Sequence, residues 1–172
     1  MSILRVDQIQ HSNGTAALTI DSGGRVVSPN KPAFQVRGSA SQSITATGNS
    51  TVNYNTAIVN VGGNYSTGNT RFIAPVSGNY LFGSNTRIDS LNMSSGADYH
   101  RLYFAVNGSP SSSLYGHSIV SIVTTVANYL TLNITGLISL SANDFVQVFV
   151  LSNSDISYNI LPQESQFWGY LI

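Results

Sequence analysis

The sequence predicts an all-β fold, a two-layer sandwich or jelly roll. Three observations point there. No window of the 172 residues keeps the apolar spacing of a helix. About ten β-branched and aromatic segments recur at short intervals, separated by turns rich in Gly, Asn and Ser. The apolar runs are short, so no segment is long enough for a membrane-spanning helix. The length suits one domain of ordinary size plus a short appendage. Such a domain buries a core without a disulfide or metal staple.

The appendage comes first, at residues 1–31. Ile3 to Gln10 is strand-like, and His11-Ser12-Asn13-Gly14 is a turn carrying the Asn-Gly hairpin signal. Thr15 to Ile20 alternates, with Ala16, Leu18 and Ile20 on one face. Asp21-Ser22-Gly23-Gly24 is a second turn before Arg25-Val26-Val27. Ser28 to Pro32 reads as a linker stiffened by two prolines. Two or three short strands cannot make their own core. This segment must pack on the main domain or on copies of itself.

Residues 32–172 form the main domain. Its candidate strands are 33–38, 43–47, 51–61, 70–74, 79–88, 99–106, 114–126, 128–140, 144–152 and 165–172. The stretch from Asn60 to Phe82 is the most informative. It holds a Gly62-Gly63 turn, a short strand and a Pro75 to Gly78 turn. An aromatic strand follows, with Tyr80 and Phe82 on one face. Gly78 is expected to supply backbone freedom at that turn. Two strands are apolar on both faces. In one, Phe145, Phe149 and Leu151 oppose Val146, Val148 and Val150; in the other, Phe167, Gly169 and Leu171 oppose Trp168, Tyr170 and Ile172. A strand facing water would alternate with polar residues. A second sheet covers one face, and a neighbouring subunit is the natural cover for the other.

Composition excludes several functions. Charged residues make up 8% of the chain, seven basic against seven acidic, with Lys31 the only lysine. Nucleic-acid binding needs cations to neutralise phosphate, and none is expected here. Basic clusters that draw proteins to anionic membranes are missing too, so no membrane insertion is expected. Without cysteine there is no thiol chemistry, disulfide or Cys-based zinc site. The first residues, Met-Ser-Ile-Leu-Arg-Val-Asp-Gln, hold no apolar core of the kind a signal peptide needs.

Four motifs carry a resemblance. They are Phe72-Ile-Ala-Pro-Val-Ser-Gly-Asn-Tyr-Leu-Phe82, Leu102-Tyr-Phe-Ala-Val-Asn-Gly108, Leu137 to Val148, and Ser165-Gln-Phe-Trp-Gly-Tyr-Leu-Ile172. In this order they resemble the globular head of complement C1q, a fold shared with tumour necrosis factor. The resemblance covers residues 33–172. It implies a ten-stranded, two-sheet jelly roll assembled as a homotrimer, with Tyr80, Phe82, Tyr103, Phe145, Phe149, Phe167 and Tyr170 in the trimer interface or the core. The chain lacks the collagen-like Gly-X-Y stalk of better-known members. Its opening, Leu4-Arg-Val-Asp-Gln-Ile-Gln10 with Gly14 to Val26, is instead similar to the openings of bacteriophage tail-fibre and appendage proteins. There such a segment implies a trimeric stem or attachment to other virion proteins.

Candidate chemistry is sparse. His11, His100 and His117 are the only histidines and are expected at the surface or an interface. The many serines with His100 and Asp98 come without a nucleophile elbow or oxyanion motif, so no catalytic site is expected. Glu164, the only glutamate, has no sequence-adjacent carboxylate to suggest a glycosidase pair. Asp89, Asp98, Asp144 and Asp155 are scattered without calcium-loop spacing. No cofactor is expected, and an axial metal such as calcium is the alternative. Asp144 is expected to bond local backbone at its turn.

Two long connections, Asp89 to Tyr99 and Asn107 to His117, are the better candidates for recognition. There Tyr99, Tyr115 and His117 are expected to stack on sugar rings, and Asn92 and Asp98 to bond hydroxyls. The expectation is a non-enzymatic phage virion protein, a trimeric fibre whose head attaches to a host-surface glycan or protein. It would be made in the host cytoplasm and carried on the tail or capsid surface. The alternatives are a capsid decoration knob without a receptor and a glycan-degrading appendage.

Overall fold

The computed structural model describes residues 5–44, 47–93, 99–109, 115–120, 124–153 and 157–172. Strands β1 (Gln8–Gln10), β2 (Ala16–Ile20) and β3 (Val26–Val27) form a small antiparallel meander. Its two turns share one build. In each the first residue pairs with the fifth (His11 N to Thr15 O, Asp21 N to Arg25 O), and the fourth is a left-handed glycine (Gly14, φ 86°; Gly24, φ 77°). The meander buries none of its side chains. Ile9, Ile20, Val26 and Val27 are all exposed, as expected of strands too short to enclose a core.

From Ala33 onward the strands form two packed sheets. The first holds β4 (Ala33–Arg37), β5 (Gln42–Ile44), β7 (Thr56–Val61), β10 (Gly78–Met93), β13 (Thr124–Leu140), β15 (Tyr158–Ile160) and β16 (Gln166–Leu171). The second holds β6 (Gly48–Thr51), β8 (Tyr65–Ser66), β9 (Arg71–Ile73), β11 (His100–Val106), β12 (Tyr115–Val120) and β14 (Phe145–Ser152). This is the all-β jelly roll that the strand pattern predicts. The ten candidate segments all carry strands. The short β6, β8 and β15 join them through pairing with β14, β9 and β10 respectively. The candidate segment 114–126 contributes to both sheets, β12 to the second and the start of β13 to the first.

β10 organises the first sheet. One edge pairs with β13 from Gly78 opposite Leu140 to Met93 opposite Thr124; the other pairs with β16 and then β15. Between the sheets lies an aromatic core. Phe34 stacks on Phe72 at 4.9 Å and meets the edge of Phe167 at 4.8 Å, while Tyr54, Tyr65, Tyr80, Phe82 and Phe104 extend the cluster. Such ring pairs add roughly 0.5–1.5 kcal/mol each beyond their buried area. Tyr54 is the core's polar anchor. Its hydroxyl lies 2.8 Å from Thr86 Oγ1 and 3.0 Å from Ser84 Oγ, and burial pushes it up to about 12.

Glycines mark where chains come close. A Cβ on Gly169 would lie 2.3 Å from a Phe82 ring carbon and 2.9 Å from Phe34. Gly78 departs from expectation. It is not among the residues with positive φ, and its demand is for space, since a Cβ would lie 2.7 Å from Leu171 Cδ1. The left-handed backbone belongs to the preceding Gly62-Gly63 turn, at φ 77° and 69°.

Candidate functional site

Two outward sheet faces hold the candidate residues. On the first sheet, cross-strand register arranges the outward side chains in rows. One row is apolar: Val61, Ala33, Tyr170, Leu81 and Leu137. The next runs Val59, Gln35, Trp168, Gly83 and Thr135. Trp168 lies across Gly83, where a Cβ would sit 2.1 Å from the indole, and stacks on Tyr170 at 6.3 Å. The third row is amide: Gln166, Asn85 and Asn133, with Gln35 donating to Gln166 at 3.0 Å. Beyond it Arg87 pairs with Asp89 at 2.9 Å and with Glu164, and lies over the Tyr129 ring at 4.8 Å. Leu137 is 60% exposed and Tyr170 40% exposed in the single chain.

The outward face of the second sheet is different. Its rows are His117, Tyr103, Phe149 and Thr51, then Ile119, Arg101, Leu151 and Asn49. Tyr103 stacks on Phe149 at 5.8 Å, and its hydroxyl donates to Asn49 Oδ1. Although outward, Tyr103 is only 1% exposed, and burial pushes its hydroxyl up to about 12. Arg101 lies over the Tyr99 ring at 5.6 Å. Near the opposite end of β14, Arg71 lies over Phe145 at 4.5 Å.

The residues expected in the interface or core therefore separate. Tyr80, Phe82 and Phe167 are fully buried between the sheets. Tyr170 faces outward on the first sheet, and Tyr103, Phe145 and Phe149 face outward on the second. Of the residues expected in recognition loops, Asn92 falls within β10, and Tyr115 and His117 fall within β12. β10 runs further than the candidate strand 79–88, because ladder pairing with β13 extends it, whereas β12 falls within the candidate strand 114–126. The side chains of Asn92 and Tyr115, and the whole of Asp98, lie outside the described residues. Tyr99 lies beside Arg101 just before β11, and His117 stands opposite Tyr103, so the two flank one outward series.

His100 corrects the expectation of a surface or interface histidine. It is buried at 2% exposure with its ring edge-on to Tyr158 at 4.6 Å. Asp144 behaves as expected of its turn, accepting from Ser141 N and from Asn107 Nδ2, both at 2.8 Å. Asn107 in turn accepts from Phe145 N at 2.9 Å. The Asn107 side chain acts on its carboxylate neighbour first, the Ser141 amide second, and together they hold Asp144 below the usual carboxylate range. Among the described residues, no three His, Cys, Asp or Glu side chains gather as a metal site. Arg71, Arg101, Leu81 and Leu137 escaped the sequence reading. Arg101 was detectable: it is the middle member of the outward series Tyr99, Arg101, Tyr103.

Two packed antiparallel sheets around an aromatic core, with apolar and amide-rich outer faces, define a jelly-roll domain. The family model of the C1q domain matches residues 33–172. The chain belongs to the C1q domain family. Among solved structures it is similar to the globular domain of zebrafish complement 1qA, at 18% identity, TM-score 0.53, and coverage of 83% of this chain and 97% of that one. It is also similar to the Eiger TNF of S. frugiperda, at 11% identity and TM-score 0.56, covering 83% and 93% respectively. At these identities the likeness is one of fold. No curated protein matches the chain.

Proposed function

We propose that the chain is a non-enzymatic virion protein of a bacteriophage, a homotrimeric appendage whose head attaches to a glycan or protein on the host surface. One observation carries the assembly. The outward face of the first sheet bears Leu81, Leu137, Val59, Trp168 and Tyr170 in adjoining rows. An antiparallel sheet open to water carries polar residues there. A large outward apolar patch marks an interaction site. A second and third copy, packed around a three-fold axis, bury this face, while the amide row supplies hydrogen bonds across it. The meander of β1 to β3 has the same need, and three copies side by side give it a shared core.

Support for the virion setting comes from the opening segment, which resembles those of phage appendages. With the first sheet turned inward, the second sheet faces solvent in three copies. Weak contacts then add through avidity. Light scattering on the purified chain tests the assembly, and a mass of three chains is expected; a monomer would overturn it. Immunogold labelling of particles tests the setting. Label on tail fibres and binding of the trimer to host cells are expected. Label around capsomers without cell binding would replace attachment with decoration.

A further inference from the structure

We propose that the outward face of the second sheet binds an acidic polysaccharide, with Arg101 and Arg71 each gripping a carboxylate. The inference rests on the attachment reading and names its ligand class. Both arginines have a buried Nε without a hydrogen-bond partner. Neither forms an ion pair with any described residue. The carboxylate of Asp144, beside Phe145, is already held by Asn107 and Ser141. An unpaired guanidinium, partly withdrawn from water, is costly to maintain. Its planar fork matches a carboxylate through two parallel hydrogen bonds.

The surroundings select the ligand. Each guanidinium is steadied against an aromatic ring, Phe145 for Arg71 and Tyr99 for Arg101. Between them on β14 lie Phe149, which offers apolar surface, and Gln147, while Asn49 on β6 and His117 on β12 flank the path and offer polar groups to hydroxyls. In the sheet lattice the two arginines stand about 17 Å apart: four residues along β14, and one strand to either side of it. That spacing exceeds one small anion and suits a chain several sugars long. An acidic peptide would dock on a free strand edge through its main chain. β14 is paired on both sides, so only its side chains are available. A sugar chain needs no strand edge and docks on side chains such as these.

The test is calorimetric titration of the full chain with a panel of oligouronates, their neutral methyl esters and an oligoaspartate. The acid sugars are expected to bind, more weakly as salt rises. Their esters are expected to lose binding. Arg101→Gln and Arg71→Gln should each weaken binding about tenfold or more, since each removes a charge-assisted pair. Arg37→Gln, exposed on the opposite sheet, should change nothing, and circular dichroism should show all variants folded. Equal binding of acid and ester, unchanged affinity in both arginine variants, or tighter binding of oligoaspartate would each overturn the inference. If no oligouronate binds while the trimer still adheres to host cells, the inference falls and the attachment reading stands. If neither occurs, both fall.

Discussion

Gly169 and Gly83 lie next to each other across the first sheet but one strand register apart, and they face opposite ways. Gly169 clears room inside for Phe82 and Phe34, and Gly83 clears room outside for Trp168. Gly169→Ala overpacks the core and should cost roughly 1–3 kcal/mol in denaturant unfolding. Gly83→Ala should leave the core intact and displace the indole. Trp168 is the only tryptophan, so its fluorescence reports that displacement directly. Asp144 gives a pH test. Its carboxyl is depressed in the fold, so its stabilising effect is present above the ordinary carboxylate range and is lost as pH falls through the lowered value. The stability gap between the native chain and Asp144→Asn should therefore be widest near neutrality and close in acid. The Asp144 turn was legible through its local partner, Ser141, three residues earlier; Asn107, 37 positions away, was not. His100 shares the inward face of β11 with Leu102 and Phe104, an alternation the sequence carries, but its cover, Tyr158, arrives from 58 positions away.

At the scale of the strand, alternation was the readable signal. Val146, Val148 and Val150 are buried between the sheets while Phe145, Phe149 and Leu151 face out, and β16 divides Phe167 from Trp168 in the same manner. What alternation does not encode is the neighbour. β10 serves β13 on one edge and both β16 and β15 on the other, a choice made by packing across the whole domain. Strands of three residues such as β15 are too short to show a period, and their pairing is imposed from outside. The apolar row on the first sheet yields a sharp expectation. Leu137→Asp or Tyr170→Asp should give a folded monomer by light scattering and circular dichroism. A carboxylate trapped unpaired at that interface costs about 3–5 kcal/mol in each subunit.

At the scale of the molecule, the core cluster lies wholly within residues 34–167. The meander contributes nothing to it, and the Asn30 Nδ2 to Ala16 O bond is internal to residues 1–31. Removal of residues 1–31 should leave the head's thermal unfolding within a few degrees of the full chain, as read by calorimetry. The chain passes from meander to head at Pro32, whose carbonyl accepts from Leu171 N. β4 starts there and runs between β16 and β7, held by four register pairs on one side and five on the other. A pull on the stem along β4 therefore loads these ladders in shear. Many hydrogen bonds must yield together, where peeling from an edge would break them one by one. For a head tethered by its N-terminal strand, that placement makes the tether a mechanical clamp, which resists tension on the stem far better than an edge strand would.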